Sequence, residues 1–310
     1  CPEFDFEGLE FIKPVYETCQ SNRFDAAGTI TFGKTGRIFG INANAKYIGP
    51  GFKSLNYPYL QSDRIEATVS PRLNLMENRL MFSGSAGYMI NNLLETKTST
   101  SNRFIGRINL NSRITDALNL SSGYSNFDFS TDGDDSTAVD NMSHSYYITP
   151  SYSISGGGIY HFISVGYSGS MFLDNSADSD SSDSQTHSLT STYSATFNDI
   201  PLSTSLSYSY FNNDNPIAGF ISNSVGINLS YSFMERKLTP SLRLGYTNTN
   251  PDGFTSDNNY RANLGLRWLI AEALSLNLNA PFSYYDYGSQ RPDVNYTEVS
   301  LKTGLSYSFR

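Results

Sequence analysis

The chain is poor in charge and in long apolar runs, and each shortage excludes a class of protein. Charged residues make up 16% of its 310 residues, whereas soluble proteins average roughly 25%. No run of about 18 apolar residues occurs, so the sequence contains no transmembrane helix. The net charge of −8 argues against general binding of nucleic acid.

Cysteine is almost absent, with Cys1 and Cys19 as the only two. One interpretation is a disulfide between them that closes the N-terminal segment, and the other is two idle thiols. A sharper alternative makes Cys1 the lipidated N-terminus of a lipoprotein. Two cysteines cannot form a zinc site alone, and no cofactor is expected. The chain opens at Cys1-Pro2-Glu3 without a signal peptide, as expected of a processed form or a fragment.

The pattern that dominates the sequence is alternation of apolar and small polar residues. Residues 224–233, SVGINLSYSF, place the large apolar side chains on one parity and Ser, Gly and Asn on the other. Alternation with a period of two gives a β-strand with one apolar and one polar face. Because the polar face carries few charges, the pattern favours a strand with lipid outside and a watery or crowded lumen inside.

About fifteen such strands follow one another from Arg23, and their connections alternate in length. Short turns near residues 33–36, 76–78, 115–116, 156–158, 198–201, 234–237 and 271–273 separate loops of about 10 to 17 residues. This asymmetry predicts an all-β fold, an up-and-down transmembrane antiparallel β-barrel of about 14–16 strands with short periplasmic turns and long outer loops. Residues 23–310 form the barrel in this prediction. Residues 1–22 are an extra strand, a plug, or the remnant of an upstream domain.

Aromatic residues support the orientation, because rings prefer the level of the lipid headgroups. Seven lie at the ends of strands that run from a long loop toward a short turn, where a periplasmic girdle is expected: Tyr193, Phe197, Tyr231, Phe233, Trp268, Tyr307 and Phe309. The alternative is that they fill the ends of a soluble barrel.

From Arg23 onward the chain resembles Gram-negative outer-membrane β-barrel proteins in general. Its last strand, LKTGLSYSF followed by Arg310, is similar to the terminal signal of such barrels, although Phe309 is penultimate rather than last. The segment FKSLNYPYLQSDR resembles loop-to-strand junctions of Bacteroidota-type surface barrels. The resemblance implies the outer membrane of a Gram-negative bacterium, with membrane lipid and lipopolysaccharide as surroundings. Protein partners at the outer loops or in the lumen remain an open alternative.

The inward charges are one-sided. By parity, Asp25, Glu66 and Glu298 are the main inward acids, against ten inward basic residues: Lys46, Arg64, Arg72, Arg103, Arg107, Arg113, Arg243, Arg261, Arg267 and Lys302. On a pore wall these would concentrate anions, because walls of low dielectric focus the field. The equal alternative is that they pair with carboxylates of loops or of a plug and brace the wall.

Two acidic stretches offer oxygen ligands, with Asp132, Asp134 and Asp135 as weak candidates for Ca²⁺. Neither stretch has EF-hand spacing, so solvated loops are the favoured interpretation. Outer-membrane phospholipases carry a His-x-Ser pair, but Tyr146, Ile163 and Leu189 stand two residues after the three histidines. No catalytic site and no enzyme activity are therefore predicted.

The leading hypothesis is a passive channel for small solutes, with anions as the candidate class. The alternative is a non-conducting barrel that anchors or assembles a surface or secretion complex, its lumen plugged by the N-terminal segment or a partner. A third hypothesis is a transporter of apolar solutes with the N-terminal segment as a hatch.

Overall fold

A computed structural model describes residues 26–52, 62–93, 98–132, 138–176, 182–271, 273–288 and 294–308. All elements in these ranges are strands, and they form one antiparallel meander in chain order. No helix of the described residues combines the length and the hydrophobicity needed to cross a membrane. The segment 1–22, Cys1, Cys19, Asp25, Asp134, Asp135 and Phe309 lie outside the described residues.

From β1 to β15 each strand pairs with the next one, which confirms the predicted up-and-down order. The strands are β1 (Ala27–Thr35), β2 (Phe39–Ile48), β3 (Arg64–Leu75), β4 (Leu80–Asn91), β5 (Thr100–Arg113), β6 (Leu118–Asp132), β7 (Val139–Gly156), β8 (Ile159–Asp174), β9 (Ser184–Phe197), β10 (Leu202–Asp214), β11 (Phe220–Tyr231), β12 (Leu238–Pro251), β13 (Asp257–Ala271), β14 (Leu274–Asp286), β15 (Tyr296–Val299) and β16 (Lys302–Tyr307). A meander of this length forms a barrel when its edges, β1 and β15–β16, meet.

The last two strands are one strand with an interruption. Both pair with β14, and one continuous register runs from Phe282↔Val299 to Leu278↔Thr303. The break falls at Ser300, opposite Pro281, whose nitrogen carries no hydrogen for the ladder. The prediction of fifteen strands from the alternating pattern therefore agrees with sixteen strands in the structure.

Except for the connection of residues 49–63, the predicted long loops are shorter than expected, which corrects one prediction. β6 ends at Asp132 and β7 begins at Val139, so most of the acidic stretch 128–140 is strand. Similarly, β10 ends at Asp214 and β11 begins at Phe220. Ser, Thr, Asn and Asp favour turns, but here the hydrogen bonds to the neighbouring strand continue past the apolar segment.

Hardly any apolar core exists in the described part of the chain. Only Ile48, Met89 and Ala195 are buried hydrophobic residues there. By contrast, Leu264 and Ile163 on the alternating apolar face are 61% and 44% exposed. A soluble fold of this size would bury such residues. The bare apolar face is the surface that a membrane barrel turns toward lipid.

Two of the short turns share an unusual backbone. In residues 76–78 and 234–236, three consecutive non-glycine residues have positive φ, from 49° to 68°. Arg79 N donates to Met76 O, and Lys237 N donates to Met234 O, both at 3.0 Å. The left-handed conformation at positive φ costs an L-residue about 1–2 kcal/mol, although Asn tolerates it better than most residues.

We expect Arg236→Gly to raise the free energy of unfolding by about 1 kcal/mol, because glycine adopts this conformation without a Cβ clash. The matched variant Asn78→Gly should gain less, because Asn is already well suited to positive φ. Urea unfolding in lipid vesicles measures both. A loss for Arg236→Gly would show that the turn stores no such strain, and equal gains would show that Asn78 is no better suited to positive φ than Arg236.

Candidate functional site

The polar face of the sheet carries all ten basic residues singled out in the sequence. Residues directly opposite on neighbouring strands share a face, so the register assigns each side chain. Lys46 lies opposite Thr29 and Glu66, Arg107 opposite Ser85 and Ser125, and Arg243 opposite Asn228 and Asn263. The complete set on this face is Lys46, Arg64, Arg72, Arg103, Arg107, Arg113, Arg243, Arg261, Arg267 and Lys302.

These basic residues fall into two blocks at the two ends of the strand order. One block comes from β2, β3 and β5, and the other from β12, β13 and β16. Between them, residues 114–235 contain no Lys or Arg at all. The polar face of β6–β11 is instead built mainly of Ser, Thr, Asn, Gly and aromatic residues, with Asp174 at its loop end. When the edges of the sheet meet, the two basic blocks come side by side and form one basic sector opposite a neutral sector.

Few carboxylates neutralise the basic sector. Among the described residues, Arg113 alone of the ten forms an ion pair, at 3.1 Å from Asp116 in a short turn. That carboxylate is shared with Arg79 at 3.7 Å, and both partners are largely exposed. Elsewhere neutral side chains are the acceptors: Arg72 Nε donates to Asn74 Oδ1 at 3.2 Å, and Arg261 Nε donates to Asn259 Oδ1 at 3.0 Å. The sector therefore keeps its positive charge.

Two open cavities lie against this face. A cavity of about 680 Å³ is lined by Arg243 and Arg261 on one side and by Ser and Thr side chains of β9–β11 on the other. A second cavity of about 520 Å³ has Arg107 as its basic residue, beside Asn109 and Tyr147. The structure thus brings basic side chains from β5, β12 and β13 against space that a small solute could occupy.

The turn-end aromatics lie on the opposite, apolar face. Tyr193 is opposite Ile163 and Leu206, and Trp268 is opposite Leu238 and Leu276. The rings of Tyr231 and Phe233 pack at a centroid distance of 4.4 Å. Phe197 pairs with Ile159 and Tyr307 with Leu274 beside their turns. A girdle at the headgroup level is the role that we propose for them.

Sequence reasoning missed a second ring of tyrosines, at the loop end of the same apolar face. In the five loop-end hairpins from β4–β5 to β12–β13, a tyrosine on the first strand hydrogen-bonds a polar side chain near the start of the second strand. Tyr88, Tyr208 and Tyr246 hydroxyls donate to Asn102, Asn223 and Asn258 Oδ1, at 3.1, 3.0 and 2.7 Å. Tyr124 and Tyr167 hydroxyls bond Nδ1 of His144 and His187, at 2.7 and 2.8 Å. Each bond gives the tyrosine hydroxyl a hydrogen-bond partner, which lipid chains cannot provide.

The turn-end girdle and the loop-end ring of tyrosines are separated by about the length of a transmembrane β-strand. Residues 159–167 of β8 and 260–268 of β13 each cover nine positions between the two levels, and a tilted transmembrane strand needs about 9–11 residues. The histidines are therefore part of the membrane-facing surface. His161, near the turn end, also bonds a tyrosine, with its Nδ1 2.9 Å from the Tyr193 hydroxyl.

Because asparagine fills the corresponding position in three of the five hairpins, we expect His187→Asn to retain the stability of the wild type. His187→Leu should lose about 1 kcal/mol, because it removes the hydrogen bond between the imidazole and the Tyr167 hydroxyl. Urea unfolding in lipid vesicles compares the two. If both variants lose the same stability, the hydrogen bond is not what the position provides.

The acidic loops have structural roles in the residues that are described. Asp174, at the loop end of β8, accepts hydrogen bonds from Ser182 Oγ at 2.8 Å and from Ser176 N at 3.0 Å. Hydrogen bonds from Ser176 and then Ser182 lower the pKa of Asp174. Asp183 Oδ1 accepts from Asp174 N at 2.8 Å. Within the described ranges, which include Asp132, no group of three or more His, Cys, Asp or Glu residues could hold a metal ion.

No protein-family model matches the chain, and no curated protein matches it significantly. Solved structures do match. The FrpB iron transporter from Neisseria meningitidis aligns at a TM-score of 0.55 with 8% identity, covering 92% of this chain and 57% of that one. The ferric-catecholate import receptor Fiu from E. coli K12 aligns at 0.52 with 9% identity, covering 92% and 62%. The copper transporter OprC aligns at 0.51 with 10% identity, covering 92% and 57%.

The chain spans about three-fifths of the length of these transporters. At such low identity the likeness concerns the fold alone, and it agrees with the strand order and with the bare apolar face. The chain therefore has the fold of the Gram-negative outer-membrane β-barrels, and its apolar face is the surface that such a barrel presents to the lipid of that membrane.

Proposed function

We propose that the protein is a passive channel of the outer membrane for small solutes, with a preference for anions. The observation that carries this proposal is the basic sector of the polar face, in which nine of the ten cations have no ion pair among the described residues. In a lumen with walls of low dielectric, such charges raise the local concentration of anions.

The width of the barrel supports an open path. The described residues form fifteen strands when β15 and β16 are counted as one. A barrel of this size encloses more space than inward side chains fill, whereas eight strands enclose just enough for packing. In the neutral sector the inward residues are small; β10 contributes Ser203, Ser205, Ser207 and Ser209 in succession. Water is the simplest filling for a lumen lined in this way.

Similarity to two metal transporters and an import receptor supports a role in transport. The competing proposal is a non-conducting barrel that anchors a surface or secretion complex, with residues 1–22 or a partner in the lumen. It predicts an intact barrel without current. A transporter for apolar solutes has less support, because the polar-face side chains at the cavities described above are mainly Arg, Ser, Thr and Asn.

The test is ion current through the purified full chain in a planar lipid bilayer, with a KCl gradient across it. We expect steady single-channel steps and a reversal potential displaced toward the equilibrium potential of chloride. Displacement toward that of potassium would contradict the anion preference. A correctly folded but silent barrel would overturn the channel and favour the anchoring role.

A further inference from the structure

Three tyrosines stack at the loop end of the polar face: Tyr285 on β14, Tyr287 just after it and Tyr296 on β15. Tyr285 and Tyr296 are directly opposite each other, with ring centroids 4.5 Å apart and planes 21° from parallel. The ring of Tyr287 lies 6.4 Å from that of Tyr285, at 14°, and 6.3 Å from that of Tyr296. Tyr296 is 46% exposed, so the stack presents a ring surface rather than a buried core.

The stack adjoins two arginines of the basic sector. Asn259 is directly opposite Tyr285, and Arg261 is directly opposite Ser283, one step further from the loops. Arg243 is a diagonal neighbour of Arg261 across the β12–β13 pair. The guanidinium of Arg261 is oriented by its hydrogen bond to Asn259. Glu298 shares this row, but Ser283 separates it from Arg261.

The distance between the two features suits one small molecule. Two residues along a strand span about 7 Å. The row of Arg261 and Ser283 therefore lies about that far from the row of Tyr285 and Tyr296, on the side away from the loops, and this distance is roughly the width of a six-membered ring. The cavity of about 680 Å³ begins at Ser283, Arg261 and Arg243. A flat ring could stack on the tyrosines while its carboxylate reaches the arginines, which bind carboxylates through paired hydrogen bonds.

We propose that this part of the wall binds solutes that combine a carboxylate with a six-membered ring able to stack its face on the tyrosines, either an aromatic acid or an acidic sugar. The inference rests on the proposed channel function and adds the class of solute to it. The aromatic surface distinguishes this class from small inorganic anions, and the arginines distinguish it from neutral sugars. Binding at the loop end of the lumen would capture the solute before it crosses the barrel.

The experiment is transient block of the single-channel chloride current by benzoate, glucuronate and propionate, each at the same concentration. We expect at least one ring acid to block for longer than propionate, which has no ring. Tyr296→Leu should shorten that block roughly threefold to tenfold, as expected for loss of ring stacking. Tyr296→Phe should preserve it. Tyr160→Leu is the control, because Tyr160 is an inward tyrosine at the turn end of β8.

The outcomes separate the two proposals. Block by benzoate alone assigns an aromatic acid, and block by glucuronate alone assigns an acidic sugar. An anion-selective channel in which neither ring acid blocks for longer than propionate overturns this inference and leaves the channel intact. An absence of current overturns the channel itself.

Normal open current through Tyr296→Leu shows that the variant is folded, and unchanged block in that variant also overturns the inference. Should it fail to fold, Arg261→Gln replaces it, and a retained ring-acid block there contradicts the site.

Discussion

Replacing Arg243, Arg261 and Arg267 together by serine should remove most of the anion preference of the channel. These three residues lie on the polar face of β12 and β13, and none has a carboxylate partner among the described residues. Their field therefore acts on mobile ions rather than on a fixed counter-charge. We expect the ratio of chloride to potassium permeability to fall severalfold toward unity, measured as the reversal potential in a KCl gradient.

The matched control is the triple replacement of the same arginines by lysine, which keeps the charge and should keep the selectivity. The paired hydrogen bonds of arginine are lost in that variant, so it also separates field effects from specific binding. Unchanged selectivity in the serine variant would show that ions do not pass along this face.

The second large effect is expected from a charge on the apolar face. Ile163 lies midway along the span 159–167 of β8, four residues from Tyr167 at the loop end and four from Ile159, which pairs with Phe197 of the turn-end girdle. We expect Ile163→Arg to lower the free energy of unfolding by about 2–4 kcal/mol, the cost of a lipid-facing arginine near the bilayer midplane. Urea unfolding in lipid vesicles measures this loss.

The adjacent residue supplies the control. Ser164 occupies the polar face of the same strand, opposite Ser151 and Thr192 in the neutral sector. Ser164→Arg should cost little stability, and its added positive charge should slightly increase the anion preference. Equal losses at both positions would contradict the assignment of the two faces.

The strands could be predicted from the sequence because alternation and turn chemistry agree along the chain. The turns at residues 76–78 and 156–158 are where the sequence predicts them. The outer strand ends could not be predicted in this way. In residues 128–132 and 139–140 the composition is that of a loop, and only pairing with the neighbouring strand keeps them extended.

The loop-end tyrosines show a different limit. Each bonded pair joins two strands, and the partners are separated by 12 to 20 residues depending on the loop between them. No fixed spacing therefore marks the pairs in the sequence. The absence of Lys and Arg from residues 114–235 is visible in the sequence, but its meaning as a neutral sector depends on which strands become neighbours.

The central claim is that one face of the sheet meets lipid and the other meets water, and β10 offers the most direct test. Single cysteines carrying a nitroxide spin label are placed at each of residues 203–209, with Cys1 and Cys19 replaced by serine. Accessibility is then measured to oxygen, which partitions into lipid, and to a water-soluble nickel complex. The account predicts strict alternation, with oxygen favoured at Thr204, Leu206 and Tyr208 and nickel at Ser203, Ser205, Ser207 and Ser209. Labels at the serine positions that neither reagent reaches would contradict an open, water-filled lumen, and loss of the alternation would contradict the two-faced barrel itself.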